Sequence, residues 1–381
     1  MIILNRDLIR IISMSLNSDC VKLSEEPDWN TIKSDAKRHG ITAALYLGMS
    51  FSEMKGNDIL QEIQSEYYQE LRWDIVGLKE VARIQNVFDE NGIYSIALKG
   101  CNTKKRYPQT IIRSMGDIDI LIKPEQNKQV HDVMKELGYT YFEEGRKHDC
   151  YRNNNKITVE IHRDLLAAES EYYNYFDGIW DNCHLKIGCK YTYEMTMEDE
   201  YIFNILHLIE HFKNGGIGIR FIMDVYVYNR LVTMDKAYIN SEFDSLAITG
   251  FVGNIVDLAD FWFGKACFDC DKRIFLNRLG EYVYNGGAFG SLENAASLKT
   301  AHGKGRFFID CMFPKYDSMV SIYPWLKGKK YLLFIAWMVR AVRAFFLRKG
   351  NVKTVKKYID KANPAKTRTL QNFYKEYGLR I

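Results

Sequence analysis

Asp117 and Asp119 are separated by one isoleucine in the run Met115-Gly116-Asp117-Ile118-Asp119-Ile120-Leu121-Ile122. The apolar run after the glycine predicts a short β-strand over 118–122, and on a strand residues two apart share a face. Two carboxylates held on one face repel each other, and a cation between them relieves the repulsion. Hard oxygen donors favour Mg²⁺ or Mn²⁺, which complete their shells with water and phosphate oxygens. A third carboxylate, Glu160, stands in Lys156-Ile157-Thr158-Val159-Glu160-Ile161-His162, another strand candidate. Upstream, Ile93-Tyr94-Ser95-Ile96-Ala97-Leu98-Lys99-Gly100 reads as a strand running into a glycine. Such a turn lets backbone N–H groups approach phosphates without a Cβ in the way. Together these parts suit an in-line displacement at phosphorus, with metal ions stabilising the entering and leaving oxygens.

A set of short motifs narrows this. Leu98-Lys99-Gly100, Tyr107-Pro108, Arg113 with Met115-Gly116-Asp117-Ile118-Asp119, Glu160-Ile161-His162, Glu198-Asp199 and the pair His207 and His211 occur in that order. They resemble the uncharacterised nucleotidyltransferase-like family of bacterial proteins, within the nucleotidyltransferase superfamily. Gly218-Ile219-Arg220 with Asp224, and Tyr323-Pro324, extend the resemblance over nearly the whole chain. The resemblance implies an NTP substrate, Asp117 and Asp119 as the metal-binding pair, and Glu160 as the third acid. That third acid completes one metal site and helps deprotonate an attacking hydroxyl. The chain departs from the wider superfamily at the turn. Gly100 is followed by Cys101, where glycine or serine is usual, and the gap from Gly100 to Asp117 is longer than usual.

The remaining polar residues near these motifs each have a structural reading beside the functional one. Lys99 and Arg113 are the cations nearest the acids in sequence. They are either surface charges balancing Asp117 and Asp119, or nucleotide contacts, with Arg113 orienting the acids. His162 shares the face of Glu160 by period two and is a candidate for supporting the acids or touching the acceptor. His207 and His211 lie one turn apart on a helix expected from Met197 to Lys213, capped by Thr196. They read as hydrogen-bonded interior histidines, as substrate contacts, or as a metal-chelating pair. Lys213-Asn214-Gly215-Gly216-Ile217-Gly218 lacks the lysine and serine or threonine of a phosphate loop and predicts a turn between helices. Arg220 and Asp224, one helical turn apart, predict an intrahelical salt bridge unless Arg220 faces a cleft and an anion.

These residues need elements to hold them. Residues 1–90 carry apolar positions at three- and four-residue intervals and predict a helical region ending at Asn91-Gly92. Residues 91–195 predict an α/β unit. Its strands are expected at 93–98, 118–122, 139–142, 149–152 and 157–162, with a helix at 125–137 and a hairpin turn at Asn153-Asn154-Asn155. Residues 196–381 return to helical spacing. The expected architecture is therefore α+β, a mixed sheet of nucleotidyltransferase type between N-terminal and C-terminal helical regions.

At 381 residues, 47% hydrophobic and 26% charged, the chain is long enough for two or three domains and has ordinary globular composition. A net charge of +4 and no basic stripe interleaved with aromatics give no strong nucleic-acid signal. The eight cysteines are irregularly spaced, and the start Met1-Ile2-Ile3-Leu4-Asn5-Arg6-Asp7 lacks an export signal, so free thiols in a cytoplasmic setting are expected. Cys267 and Cys270 have a zinc-like spacing without a second pair. Tyr331 to Leu347 is strongly apolar but interrupted by Arg340 and Arg343, short of the ~20 residues a bilayer span needs. A buried or membrane-surface helix is expected there.

The functional expectation is a Mg²⁺- or Mn²⁺-dependent transfer of a nucleoside monophosphate from an NTP to a hydroxyl, on a small molecule rather than a nucleic acid. The alternative is an inactive nucleotide-binding or interaction protein on the same fold. Asp117, Asp119 and Glu160 would be catalytic and hold the metal. Lys99, Gly100 and Arg113 would bind nucleotide. His162, His207, His211, Arg220 and Asp224 would meet the acceptor.

Overall fold

The computed structural model describes residues 3–51, 58–144, 148–288, 290–301, 303–347 and 359–380. Its strands are β1 (Ser95–Ala97), β2 (Ile118–Ile122), β3 (Thr140–Glu144), β4 (His148–Arg152), β5 (Thr158–His162), β6 (His184–Leu185) and β7 (Thr192–Glu194). They form one mixed sheet in the order β3-β4-β5-β2-β1-β7-β6. Among the described residues four helices precede it: α1 (Arg6–Asn17), α2 (Trp29–His39), α3 (Thr42–Ser50) and the long α4 (Asp58–Glu90). Three lie between strands: α5 (Gly100–Thr103), α6 (Asn127–Glu136) and α7 (Ile179–Asn182). After the sheet come α8 (Met197–Lys213), α9 (Ile219–Leu231) and further helices to Pro364–Glu376. The architecture is α+β, as the periodicities predict.

Local chemistry explains the boundaries. Gly92 at φ 70° ends α4 with a left-handed residue that glycine adopts without cost. Thr196 Oγ1 accepts the Asp199 N–H at 3.0 Å and starts α8. The β4–β5 turn differs from its expected chemistry. The positive φ falls on Lys156, at 64°, rather than on an asparagine, while Asn153 Oδ1 accepts the Ile157 N–H at 3.0 Å. The glycine-rich stretch after α8 is a tight packing turn into α9, because a Cβ on Gly218 would meet the Gly287 carbonyl oxygen at 2.3 Å.

The two faces of the sheet have separate duties. Ile118, Ile120 and Ile122, with Val159 and Ile161, pack against Val81, Ile84 and Phe88 of α4 and Val130, Val133 and Met134 of α6. Alternation turns Asp117, Asp119 and Leu121 to the opposite face. There Leu121, Ile96 and Leu98 join a larger core that contains Leu8 and Ile12 of α1 and Ile202, Ile209 and Ile222 of α8 and α9. Helices from both ends of the chain thus cover the face that carries the acids.

Beyond the sheet, Leu333–Leu347 forms a helix. Among the described residues no helix is long and apolar enough to cross a membrane.

Candidate active site

Register places the acids. In the parallel pair β2–β5, Asp119 stands directly opposite Glu160, and Leu121 opposite His162. In the antiparallel pair β4–β5, Cys150 faces Glu160 and His148 faces His162. Directly opposed residues share a face and approach within side-chain reach. One oxygen each of Asp119 and Glu160 and a ring nitrogen of His162 consequently lie within 4.8 Å of one another. His148, Cys150 and Glu160 form a second such group on the same scale.

Asp119 is buried and ionised. Lys99 Nζ donates to its Oδ1 at 2.6 Å, and His162 Nε2 reaches the same oxygen at 2.7 Å. Burial opposes the charge, but Lys99 and His162 outweigh it and hold the carboxyl well below the usual aspartate value. Lys99 gains in return. Its burial is overcome by Asp119, with Glu160 and Asp117 adding to the attraction, and its ammonium is held above the ordinary lysine value. The lysine leaves β1 at φ 45°, ψ −123°, a conformation costly for any residue with a Cβ and of the kind found at functional turns.

Asp117 behaves oppositely. Burial, then the nearby charges of Asp119 and Glu160, push its carboxyl up to about 6 despite Lys99 and Arg220. Glu160 is held below its ordinary value: burial works against ionisation, and the His162 hydrogen bond leads the opposing effects. His162 itself is fully buried and is not among the side chains that line the cleft.

The second layer of charge comes from α9. Arg113 Nε and Nη2 bind Asp224 Oδ1 and Oδ2 at 3.2 and 3.0 Å. The Tyr107 hydroxyl donates to Asp224 Oδ1 at 2.6 Å. The intrahelical Arg220–Asp224 bridge expected from spacing is therefore replaced by a long-range pair. Arg113 likewise pairs with Asp224 rather than with Asp117 or Asp119. A Cβ on Gly100 would meet Arg113 Nη1 at 2.9 Å, so the room left by this glycine is taken by a guanidinium. Arg220 makes no ion pair among the described residues and contacts Ser114 Oγ at 3.4 Å. Burial and the neighbouring Arg113 lower its guanidinium to about 10.

A cleft of about 400 Å³ joins these parts. Its floor carries Asp117, Asp119 and Glu160 beside Lys99 and Gly100, and its far wall carries Arg220 and Asp224. His207 and His211 line the same cleft and hydrogen-bond each other, Nε2 to Nε2, at 3.1 Å. Cys101, in contrast, is packed away beside Met115, its thiol pushed up to about 12 by burial. The uncharacterised nucleotidyltransferase family matches residues 22–264. The chain belongs to that family.

The match spans α2 through the helix Thr249–Phe263 and every motif up to Asp224, and it stops short of Tyr323-Pro324. No curated protein and no solved structure matches this nucleotidyltransferase-family chain. Two side chains at the acid cluster escaped the sequence reading, His148 and Cys150. The hairpin held the signal. Its register pairs 148 with 162 and 150 with 160, so placing the turn correctly carries His-x-Cys onto the face of Glu-x-His.

Proposed function

We propose that this protein transfers a nucleoside monophosphate from an NTP to a hydroxyl of a small molecule, with Mg²⁺ or Mn²⁺. The observation that carries the reading is the cross-strand placement of Asp119 beside Glu160 on the floor of a polar cleft. The donor set fits a hard divalent cation. Three carboxylates line the cleft together, and burial, then the charges of Asp119 and Glu160, lifts Asp117 to about 6. Asp117, Asp119 and Glu160 would hold the ion, which would offset phosphate charge and polarise the reacting phosphorus.

The chain's own groups would do the rest. Lys99 and His162 both bind Oδ1 of Asp119, fixing the carboxylate with its other oxygen turned to neither. Glu160 would take the proton of the acceptor hydroxyl. Arg220, unpaired with any carboxylate among the described residues, would bind phosphate oxygens. His207 and His211 on the helical wall would meet the acceptor. We assign His162 to positioning Asp119. The three-part division at residues 90 and 195 fits this arrangement, with the nucleotide on the sheet and the acceptor on the later helices.

One observation favours a second reading, a nucleotide-binding or interaction protein without turnover. Arg113 packs into the space at Gly100 through which phosphates would approach the backbone. The two readings part in one experiment. The protein is incubated with Mg²⁺, each NTP and a metabolite extract, and nucleotide transfer is followed by mass spectrometry. Transfer to a small molecule is expected. Label only on RNA or protein overturns the small acceptor, and no label under any condition leaves the binding reading.

A further inference from the structure

The helix Leu333–Leu347 is apolar on two faces, and the described residues cover only one. Leu333, Ala336 and Trp337 turn inward to a small core with Met319, Tyr323 and Leu326. The Trp337 indole donates to the Pro314 carbonyl at 2.9 Å, and Arg340 donates to the Cys311 carbonyl at 3.0 Å, which fixes the inner face. Tyr331, Phe334, Ile335, Met338 and Val342 point outward, between 49% and 79% exposed. Their spacing of three and four residues makes them one continuous stripe. Phe308, Ile309, Met312 and Phe313, each 43% to 53% exposed, add apolar surface on a neighbouring helix and its end. A scattered exposed leucine needs no explanation, but an apolar stripe of this length does.

Charge identifies what would cover it. Between Ser318 and Ile359 the sequence contains ten lysines and arginines and no aspartate or glutamate. Over the whole chain 52 cations face 48 acids, so this imbalance is local. A second copy of the chain would bring the same exposed Lys327, Lys329 and Lys330 against these, so self-association is opposed. A surface that is apolar below and negatively charged at its edge satisfies both features. Aromatic and aliphatic residues enter the boundary between headgroups and acyl chains, while lysines and arginines at the flanks meet lipid phosphates.

We propose that the stripe Tyr331–Val342 with its basic flanks seats this protein on the surface of an anionic lipid bilayer, lying along the surface rather than crossing it. This does not depend on the transfer reaction. Each basic residue near such a surface strengthens binding by about fivefold, a contribution that salt removes.

The test uses the full chain and vesicles of phosphatidylcholine, with or without a third of phosphatidylglycerol, read by flotation at low and high salt. Binding to the anionic vesicles at low salt, weak binding to neutral ones, and release by salt are expected. F334S/M338S, which alters outward residues that do not line the cleft, should weaken binding by about tenfold or more. K329E/K330E should weaken it too, and the loss should shrink at high salt. No binding to anionic vesicles overturns the proposal, as does binding that F334S/M338S leaves unchanged. Concentration-dependent dimers in light scattering that F334S/M338S abolishes would assign the stripe to a second copy and overturn it as well. Since vesicle binding is read without nucleotide, its failure is separate from any failure of the transfer reading.

Discussion

Arg113 clasps Asp224 with two hydrogen bonds, 3.2 and 3.0 Å long, across 111 residues of sequence. That pairing takes the carboxylate which Arg220 would otherwise meet one helical turn away, and turns Arg220 into a cation of the cleft wall. Asp224 and Arg220 should therefore respond differently to substitution. Asp224→Asn leaves a buried guanidinium half-matched and should destabilise the fold by about 3–5 kcal/mol in chemical denaturation. Arg220→Gln should leave the denaturation midpoint nearly unchanged and lower NTP affinity by about tenfold or more, the scale of a hydrogen bond to a charged group. Calorimetric titration that finds the same NTP affinity in Arg220→Gln would remove Arg220 from the phosphate site.

Glu160 should matter for turnover rather than for binding. Its carboxylate is proposed to meet the acceptor hydroxyl, so Glu160→Gln is expected to lower kcat by about 10²-fold. NTP affinity should change by no more than about threefold. Steady-state rates paired with equilibrium NTP binding check this. A variant that loses affinity and keeps kcat would give Glu160 to the nucleotide instead.

Much of this site was legible because its determinants are local. The strand 118–122 and the helix 197–213 match their expected bounds, each set by neighbouring residues: an apolar run after Gly116, and Thr196 as cap. Facing follows from period two alone, which is why Asp119 and Glu160 share a side of the sheet. What sequence spacing cannot reveal is pairing between distant segments. Arg113 with Asp224, and the core shared by α1 with α8 and α9, arise only once the chain is folded. The short strands β6 and β7, which extend the sheet beyond β1, were also missed, since two or three residues are too few to show a period. Lys156 took the left-handed position beside three asparagines because the β4–β5 register decides which turn residue must adopt it.

Asp117 gives a signed pH dependence. Its folded value of about 6 lies above the ~3.9 of an unfolded aspartate. A carboxyl raised on folding contributes stability that is fully present below about pH 4 and lost as the pH rises through about 6. Without divalent metal, Asp117→Asn should gain stability relative to the parent protein as the pH goes from about 4 to about 7. Added Mg²⁺ should close the gap at the upper end by binding the ionised parent. Thermal unfolding in chelator and in Mg²⁺ follows both effects, and a gap that does not vary with pH would contradict the assignment.

The central claim is that Asp119 belongs to a working phosphoryl-transfer site. The most direct measurement is pyrophosphate release by the parent protein and by Asp119→Asn, with NTP, Mg²⁺ and the metabolite extract. Circular dichroism on both proteins serves as the check on folding. Mg²⁺-dependent release by the parent, and its loss in a folded Asp119→Asn, are predicted. Undiminished release by Asp119→Asn would contradict the account.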